Sequence, residues 1–197
     1  MNRISLKCKC GAVQGSVSHV SPEVGNHVVC YCKDCQAFAN HLANGEGILD
    51  EWGGTEIYQT PPWHVTIDRG MEEIRCLRLT PKGLYRWYAG CCNTPVGNTI
   101  SARFPFIGLV HSFFDKDDQT DSMLGPVRGY HKLESAIGEV PEEIQRHGMP
   151  KTATFRVVWR LFKWKFTGGD KPNPFFDPSG RSICKPRILS EHPEQEK

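Results

Sequence analysis

Long apolar runs are missing from this sequence. Its longest uncharged apolar stretch, Phe104 to Phe114, falls well short of the ~18 residues that a membrane-crossing helix needs, so no membrane span is expected. A one-sided charge is also missing. Residues 1–115 carry 10 basic and 10 acidic side chains, residues 116–197 carry 14 and 12, and the formal net charge is +2. That balance gives no reason to expect a nucleic-acid partner. The opening MNRISLKCKCG has neither an apolar h-region nor a small-residue cleavage site, so no secretory leader is expected and the expected setting is the reducing cytoplasm. There is no GxSxG, P-loop, Rossmann fingerprint, HxxxH, HExxH or internal repeat, which removes the common hydrolase, nucleotide-binding and His-based metalloprotease readings.

Cysteine is what the sequence does have. There are nine, an odd number, at 8, 10, 30, 32, 35, 76, 91, 92 and 184. In a reducing setting, clustered thiols bind metal or do chemistry more often than they build a disulfide framework. In extended chain, Cys8-Lys9-Cys10 and Cys30-Tyr31-Cys32 each place two thiols on one face, where they can converge on one ion. A disulfide inside CxC would close a ring too small for the preferred Cα separation. Cys76 and Cys184 have no companions in sequence and read as small buried hydrophobes.

Ile4, Leu6, Cys8 and Cys10 alternate with polar residues as in a strand, and Gly11 breaks the pattern. Val13 and Val17 mark a second strand, and His27 to Cys32 a third that ends inside CYCKDC. Lys33 to Leu42 is helix-compatible and is stopped by Asn44-Gly45-Glu46-Gly47. Two short strands flank Pro61-Pro62. Ile74–Leu79 and Leu84–Ala89, joined by Thr80-Pro81-Lys82-Gly83, form a hairpin leading into Cys91-Cys92. Residues 93–98 read as turn and 99–114 as mixed apolar extended chain. Beyond 115 the texture changes: a polar loop, a short helix over Pro141–Arg146, then a basic amphipathic helix near 154–166. For that helix the expected arrangement docks its aromatic face on the sheet with the arginines in water; a membrane-surface or partner-binding helix is the alternative. Residues 167–197 are rich in Pro and hold no long element, and Ser190 to Lys197 reads as a frayed tail.

In order, the chain shows CxCG (Cys8, Cys10, Gly11), CxCxxCQ (Cys30, Cys32, Cys35, Gln36), then Thr80-Pro81-Lys82-Gly83 leading through Arg86-Trp87-Tyr88 to Cys91-Cys92-Asn93-Thr94-Pro95. This order resembles the glutathione-dependent formaldehyde-activating (Gfa-like) family, which also takes in the centromere protein V type. The resemblance covers about residues 6–115 and divides the chain into a Gfa-like zinc-binding domain over 1–115 and a C-terminal extension over 116–197. It implies a mainly β fold: zinc-braced antiparallel sheets of the β-tent type with a few short helices. It further implies a structural zinc on Cys8, Cys10 and Cys92 and a second, catalytic-type zinc on Cys30, Cys32 and Cys35. One position departs from the family pattern, since Ala89 stands where the family has Cys and Cys91 directly precedes Cys92. Either Cys91 supplies the fourth thiolate from a changed backbone path, or the structural site is weakened or lost.

The chemistry of such groups is independent of the family. Soft thiolates select Zn²⁺ among the abundant divalent ions, and four of them, here Cys8, Cys10, Cys91 and Cys92, make a closed tetrahedral staple. Three from one segment, Cys30, Cys32 and Cys35, leave a fourth position open for a substrate. The expectation is therefore one or two Zn²⁺ per chain. Asp34 and Gln36 either orient a ligand at the tripod or cap an exposed turn. His27 and His111 are the two histidines whose settings merit inspection. Two functions stay open. One is a carbon–sulfur lyase acting on an adduct of an aldehyde with glutathione or a similar small thiol. The other is a non-catalytic zinc-braced scaffold or protein-interaction module.

Overall fold

Alternation of apolar and polar residues sets the first strand, in which Ile4 and Leu6 point inward and Arg3, Ser5 and Lys7 outward. A computed structural model describes residues 2–43, 45–117 and 119–189; the expected frayed tail, 190–197, lies outside them. The elements are β1 (Arg3–Lys7), β2 (Gln14–Ser18), β3 (Asn26–Cys30), α1 (Lys33–Ala43), β4 (Thr55–Thr60), β5 (Val65–Arg69), β6 (Ile74–Arg78), β7 (Tyr85–Ala89), β8 (Thr94–Thr99), β9 (Ile107–Val110), α2 (Thr120–Leu124), β10 (Tyr130–His131), α3 (Glu142–His147), α4 (Lys151–Phe166) and β11 (Arg187–Ile188). The fold is mainly β, with two sheets. One has the order β1-β2-β5; the other has the order β10-β3-β4-β9-β8-β7-β6-β11 and is antiparallel except at its two outermost strands. No described helix is long and apolar enough to cross a membrane.

Between the sheets lies the main core, in which Ile4, Leu6, Val17, Val65, Trp87 and Leu109 are all nearly inaccessible. Trp87 anchors it. Its indole stacks on Phe175 with ring centroids 4.8 Å apart, and its Nε1–H donates to Thr99 Oγ1 at 3.0 Å, so the one polar atom of a large apolar side chain is satisfied where it is buried. On the opposite face of the large sheet a second cluster packs α1, through Phe38, Ala39 and Leu42, against Leu77 and Val110. The segment after 115 is woven into both layers. β10 and β11 supply the two edges of the large sheet, and Leu124, Phe175 and Phe176 join the main core.

Three local expectations need correction. The first strand stops at Lys7, because Cys8 to Gly11 fold into a turn closed by Gly11 N–H to Cys8 O at 2.8 Å, with Gly11 at φ +76°. The CxC thiols are therefore gathered by a turn and not by the face of a strand. Residues 94–98, expected as turn, belong to the fully buried β8 (Thr94–Thr99) between β7 and β9. Pro95 is accommodated beside a register shift in β7, and a Cβ on Gly97 would meet Gly108 O at 2.6 Å, so glycine here serves close strand approach and not a turn. Lastly, α4 does not dock through its aromatic face. Phe155, Val158, Trp159, Phe162 and Phe166 are exposed, while Trp164 is buried and Arg160 is the side chain that reaches into the protein.

The histidines singled out above meet on one carboxylate. His27 Nε2 lies 2.6 Å from Glu56 Oε1 and its Nδ1 lies 2.6 Å from Gly125 O, so both ring nitrogens face acceptors and the ring is held as imidazolium. His111 Nδ1 lies 2.7 Å from the other Glu56 oxygen. Burial pushes the Glu56 carboxyl up, but the hydrogen bonds from His111 and His27 outweigh it and hold the pKa down at about 2. For His27, burial works against the charged form and is likewise outweighed, by the bonds to Glu56 and Gly125, leaving the pKa raised. The signs fix a window. Glu56 contributes stability above the ordinary carboxyl value of 4.5 and loses it as pH falls toward 2; His27 contributes fully below 6.5 and loses it as pH rises through its raised value. Glu56→Gln is expected to destabilise the fold by on the order of 2 kcal/mol near neutral pH and to flatten the acid limb of a melting-temperature profile. An unchanged acid limb would show that the network carries no charge.

Candidate functional site

Two groups of sulfur atoms assemble from distant parts of the chain: Cys8, Cys10, Cys91 and Cys92 in one, and Cys30, Cys32 and Cys35 in the other, each with all Sγ atoms within 4.8 Å of one another. The first joins the turn after β1 to the loop between β7 and β8. Ala89 is buried in β7, paired with Thr94 and Ile74, and Gly90 to Asn93 make a tight connection in which Asn93 adopts φ +54°. That left-handed residue, tolerated by Asn, turns the chain so that Cys91 and Cys92 both face the CxC turn. The Cys91 Sγ lies 3.3 Å from Cys10 Sγ, 3.9 Å from Cys8 Sγ and 3.8 Å from Cys92 Sγ, and Cys8 and Cys10 are 3.6 Å apart. A tetrahedron with metal–sulfur bonds of about 2.3 Å has edges of about 3.8 Å, so the donor set fits a four-thiolate metal ion. Of the two outcomes left open by Ala89, this geometry is the one in which Cys91 supplies the fourth sulfur.

Backbone and hydroxyl donors already support negative sulfur there. Val13 N–H donates to Cys8 Sγ at 3.2 Å, and Thr94 Oγ1 lies 3.1 Å from Cys92 Sγ. Burial pushes the Cys92 thiol up, but the Thr94 hydroxyl and the N–H groups of Cys10 and Thr94 more than offset it and bring the pKa down to about 6.

The second group is set where β3 ends and α1 begins. Cys30 is the last residue of β3, Tyr31 is fully buried, Cys32 immediately precedes α1 and Cys35 lies in its first turn. The chain reverses direction here, and both Cys35 N–H and Gln36 N–H donate to Cys32 O, at 3.0 and 3.2 Å. Among the three thiols, negative charge is favoured at Cys32. Hydrogen bonds from Cys30 and Cys35 pull its pKa down to about 2 against the effect of burial, helped by Cys35 N–H and the charge of Arg86. Cys30 is raised by its bonds with the other two thiols and by burial. Cys35 is drawn down by Cys30 but raised more by Cys32 and burial. Three sulfur donors this close together form a set that a divalent cation would fit.

Sequence reasoning did not single out Arg86. It is 2% exposed, donates from Nη1 to Cys35 Sγ at 3.8 Å, lies over the Phe38 ring at 5.5 Å and has Nη2 3.6 Å from Asp34 Oδ2. The available signal was a cation inside the apolar run Leu84 to Ala89. Alternation along β7 sends Trp87 to the main core and Arg86 to the α1 face. Three thiolates around a divalent ion would carry one net negative charge, which the guanidinium of Arg86 would balance. Asp34 thus meets the tripod only through its ion pair with Arg86, whereas Gln36 donates to Tyr31 O and Ser135 O, both at 2.8 Å, tying the tripod loop to the chain after 115. Cys76 and Cys184 join the main apolar cluster, apart from both sulfur groups, and burial pushes the Cys76 thiol up to about 12.

The tripod opens on a cavity of about 510 Å³. Apolar walls come from Ile57, Leu84, Phe106 and Val158, and polar groups from Arg86, Asn98, Gln59 and His131. Gln59 Oε1 has no hydrogen-bond partner among the described residues. The four-sulfur group lines none of this cavity. The two sets therefore differ in kind: one is four donors facing one another, the other three donors facing a space the size of a small-molecule site.

Residues 1–185 match DUF6151, a family of unknown function. No curated protein matches the chain. Among solved structures, a crystal structure of a Rhodobacter sphaeroides protein aligns with 15% identity and a TM-score of 0.45, over 63% of this chain and 97% of that one.

Removing a staple ligand is expected to cost folding. Cys10→Ser and Cys91→Ser should each lower the melting temperature steeply or abolish recovery of folded protein, since a structural metal contributes its binding free energy to folding, while Cys184→Ser should melt within a few degrees of the parent. X-ray absorption at the metal edge should show a sulfur-dominated shell. An oxygen- and nitrogen-rich shell, or parent-like melting of both variants, overturns the staple.

Proposed function

The chain belongs to the DUF6151 family, whose function is unknown, and from the geometry of its tripod we propose that it is a zinc protein of the Gfa-like type, a carbon–sulfur lyase acting on an adduct of an aldehyde with glutathione or a similar small thiol. The observation that carries this reading is the pairing of three converging thiols, Cys30, Cys32 and Cys35, with a cavity, no fourth His, Cys, Asp or Glu donor atom joining the three sulfurs within 4.8 Å among the described residues. The motif order CxCG, CxCxxCQ and PxG to the Cys-rich turn resembles that family and supports the same reading. In it, Cys8, Cys10, Cys91 and Cys92 hold a second, structural Zn²⁺. The donor chemistry fits zinc, because thiolates favour it over Mg²⁺ and Ca²⁺.

Bound at the tripod, zinc would supply an open coordination position that lowers the pKa of an incoming thiol. Around it the chain's own groups do the remaining work. Arg86 neutralises the excess charge of the sulfurs and holds Cys35 in place. Gln59 Oε1, unpartnered, accepts from an amide or hydroxyl of the ligand, and Asn98 offers both a donor and an acceptor. The walls formed by Ile57, Leu84 and Phe106 exclude water, which strengthens these polar contacts. In the addition direction, thiol sulfur and aldehyde carbon form the C–S bond and the thiol proton passes to the carbonyl oxygen; lysis is the reverse.

Metal content and thiol binding test the proposal together. The purified chain is expected to carry two zinc ions, and Cys32→Ser one. Calorimetric titration with glutathione should give saturable heat in the parent that is lost in Cys32→Ser, with zinc retained throughout the parent titration. Absence of binding up to millimolar thiol, or loss of zinc to the thiol, sinks the enzyme reading and leaves a zinc-braced scaffold.

A further inference from the structure

We propose that α4 docks the protein on an anionic lipid surface, lying in the plane of the membrane with its aromatic face down. This inference is independent of the chemistry at the tripod. It starts from a helix oriented opposite to the ordinary globular rule, in which the apolar face is the buried one. Phe155, Val158, Trp159, Phe162 and Phe166 fall at i, i+3, i+4, i+7 and i+11, a single stripe along the helix, and each is between 57% and 74% exposed. The stripe is ordered along its length: Trp159 stacks on Phe162, with centroids 6.2 Å apart, and Phe162 meets Phe166 at 4.4 Å. Among the described residues nothing covers it.

The opposite side holds the helix down by polar chemistry. Arg160 donates to the carbonyls of Pro22, Glu23 and Gly25 and to Asn26 Oδ1. Trp164, half a turn from the stripe, is buried, and Lys165 donates to Arg103 O at 2.7 Å. An arginine fork satisfying the acceptors of one loop fixes the helix rotation, and that rotation points the aromatic residues outward. Their exposure is therefore the consequence of a specific docking and not of a helix left loose.

Charge selects the occupant. The helix has five basic residues, Lys151, Arg156, Arg160, Lys163 and Lys165, and no acidic one. Lys151, Arg156 and Lys163 are exposed and have no ion-pair partner among the described residues, with Arg156 and Lys163 bordering the stripe. Basic residues flanking a Trp- and Phe-rich face are the chemistry of an interfacial helix on anionic headgroups. A second copy laid face to face would bring two positive rims together, which disfavours self-association through this surface.

Co-sedimentation of the full chain with vesicles reads the proposal. Phosphatidylcholine vesicles containing about one-third phosphatidylserine should bind the protein saturably, pure phosphatidylcholine much more weakly, and high salt should release it. Phe162 is 57% exposed, so Phe162→Glu should keep parent-like melting and zinc content while losing vesicle binding. Arg156→Gln and Lys163→Gln should each weaken partition by about fivefold and serve as the readout if Phe162→Glu misfolds. Three outcomes overturn the proposal: no preference for the anionic vesicles, binding that these substitutions leave unchanged, or a soluble dimer that Phe162→Glu dissociates, which would make the stripe a self-interface.

Discussion

Four sulfur atoms within 4.8 Å of one another, drawn from residues some eighty positions apart in the chain, are tenable as thiolates only with a cation among them, because like charges at that distance repel strongly in a partly desolvated setting. Most of the remaining architecture depends on this junction. It joins the small sheet, through the turn after β1, to the hairpin of β7 and β8 in the large one. That hairpin positions Trp87 on one face and Arg86 on the other. The core between the sheets and the charge balance at the tripod are thus set by the same two strands.

Arg86 shows how one strand serves both layers. Its neighbour Trp87 is the largest fully buried side chain, so the register of β7 is held by a heavy apolar anchor, and a slip of one residue would exchange the two faces. A buried guanidinium without a partner would be costly; here the thiol of Cys35, the Phe38 ring and the Asp34 carboxylate share it. Negative charge on the tripod would add to these partners, tying the stability of the β7 register to what the sulfurs bind. Core and site are in that respect one problem.

Much of this was legible in the sequence, and the failures have physical causes. Cysteine spacing named the seven sulfurs that converge, because a ligand group needs the right atoms in short segments and the fold brings the segments together. Turn chemistry and alternation placed the hairpin of β6 and β7, the helix after CYCKDC and the strands around Pro61-Pro62. Residues 94–98 escaped, because Pro95 and Gly97 look like turn residues until the close approach of β9 to Gly97 is known, and that approach is a tertiary fact. Arg86 escaped because a lone cation in a strand reads as a solvent-facing residue when its partners lie on other elements. The His27–Glu56–His111 cluster joins three strand-end residues with no sequence spacing to connect them.

The rotation of α4 is the most instructive difference. Periodicity correctly yields an amphipathic helix, but it cannot say which face meets the protein, and the usual inference that the apolar one does assumes that hydrophobic burial is the strongest available term. Here the loop at residues 22–26 offers four acceptors clustered within reach of one guanidinium, and charge-assisted hydrogen bonds to several carbonyls at once are directional in a way that apolar contact is not. Direction wins the rotation, while the transfer free energy of the aromatic stripe is left unspent. A large exposed apolar surface rimmed by positive charge is the expected residue of such a contest when that surface has a use outside the chain. Thr154, Val157 and Val158 of the same helix line the cavity at the tripod, so whatever occupies the stripe also bears on the wall of the site.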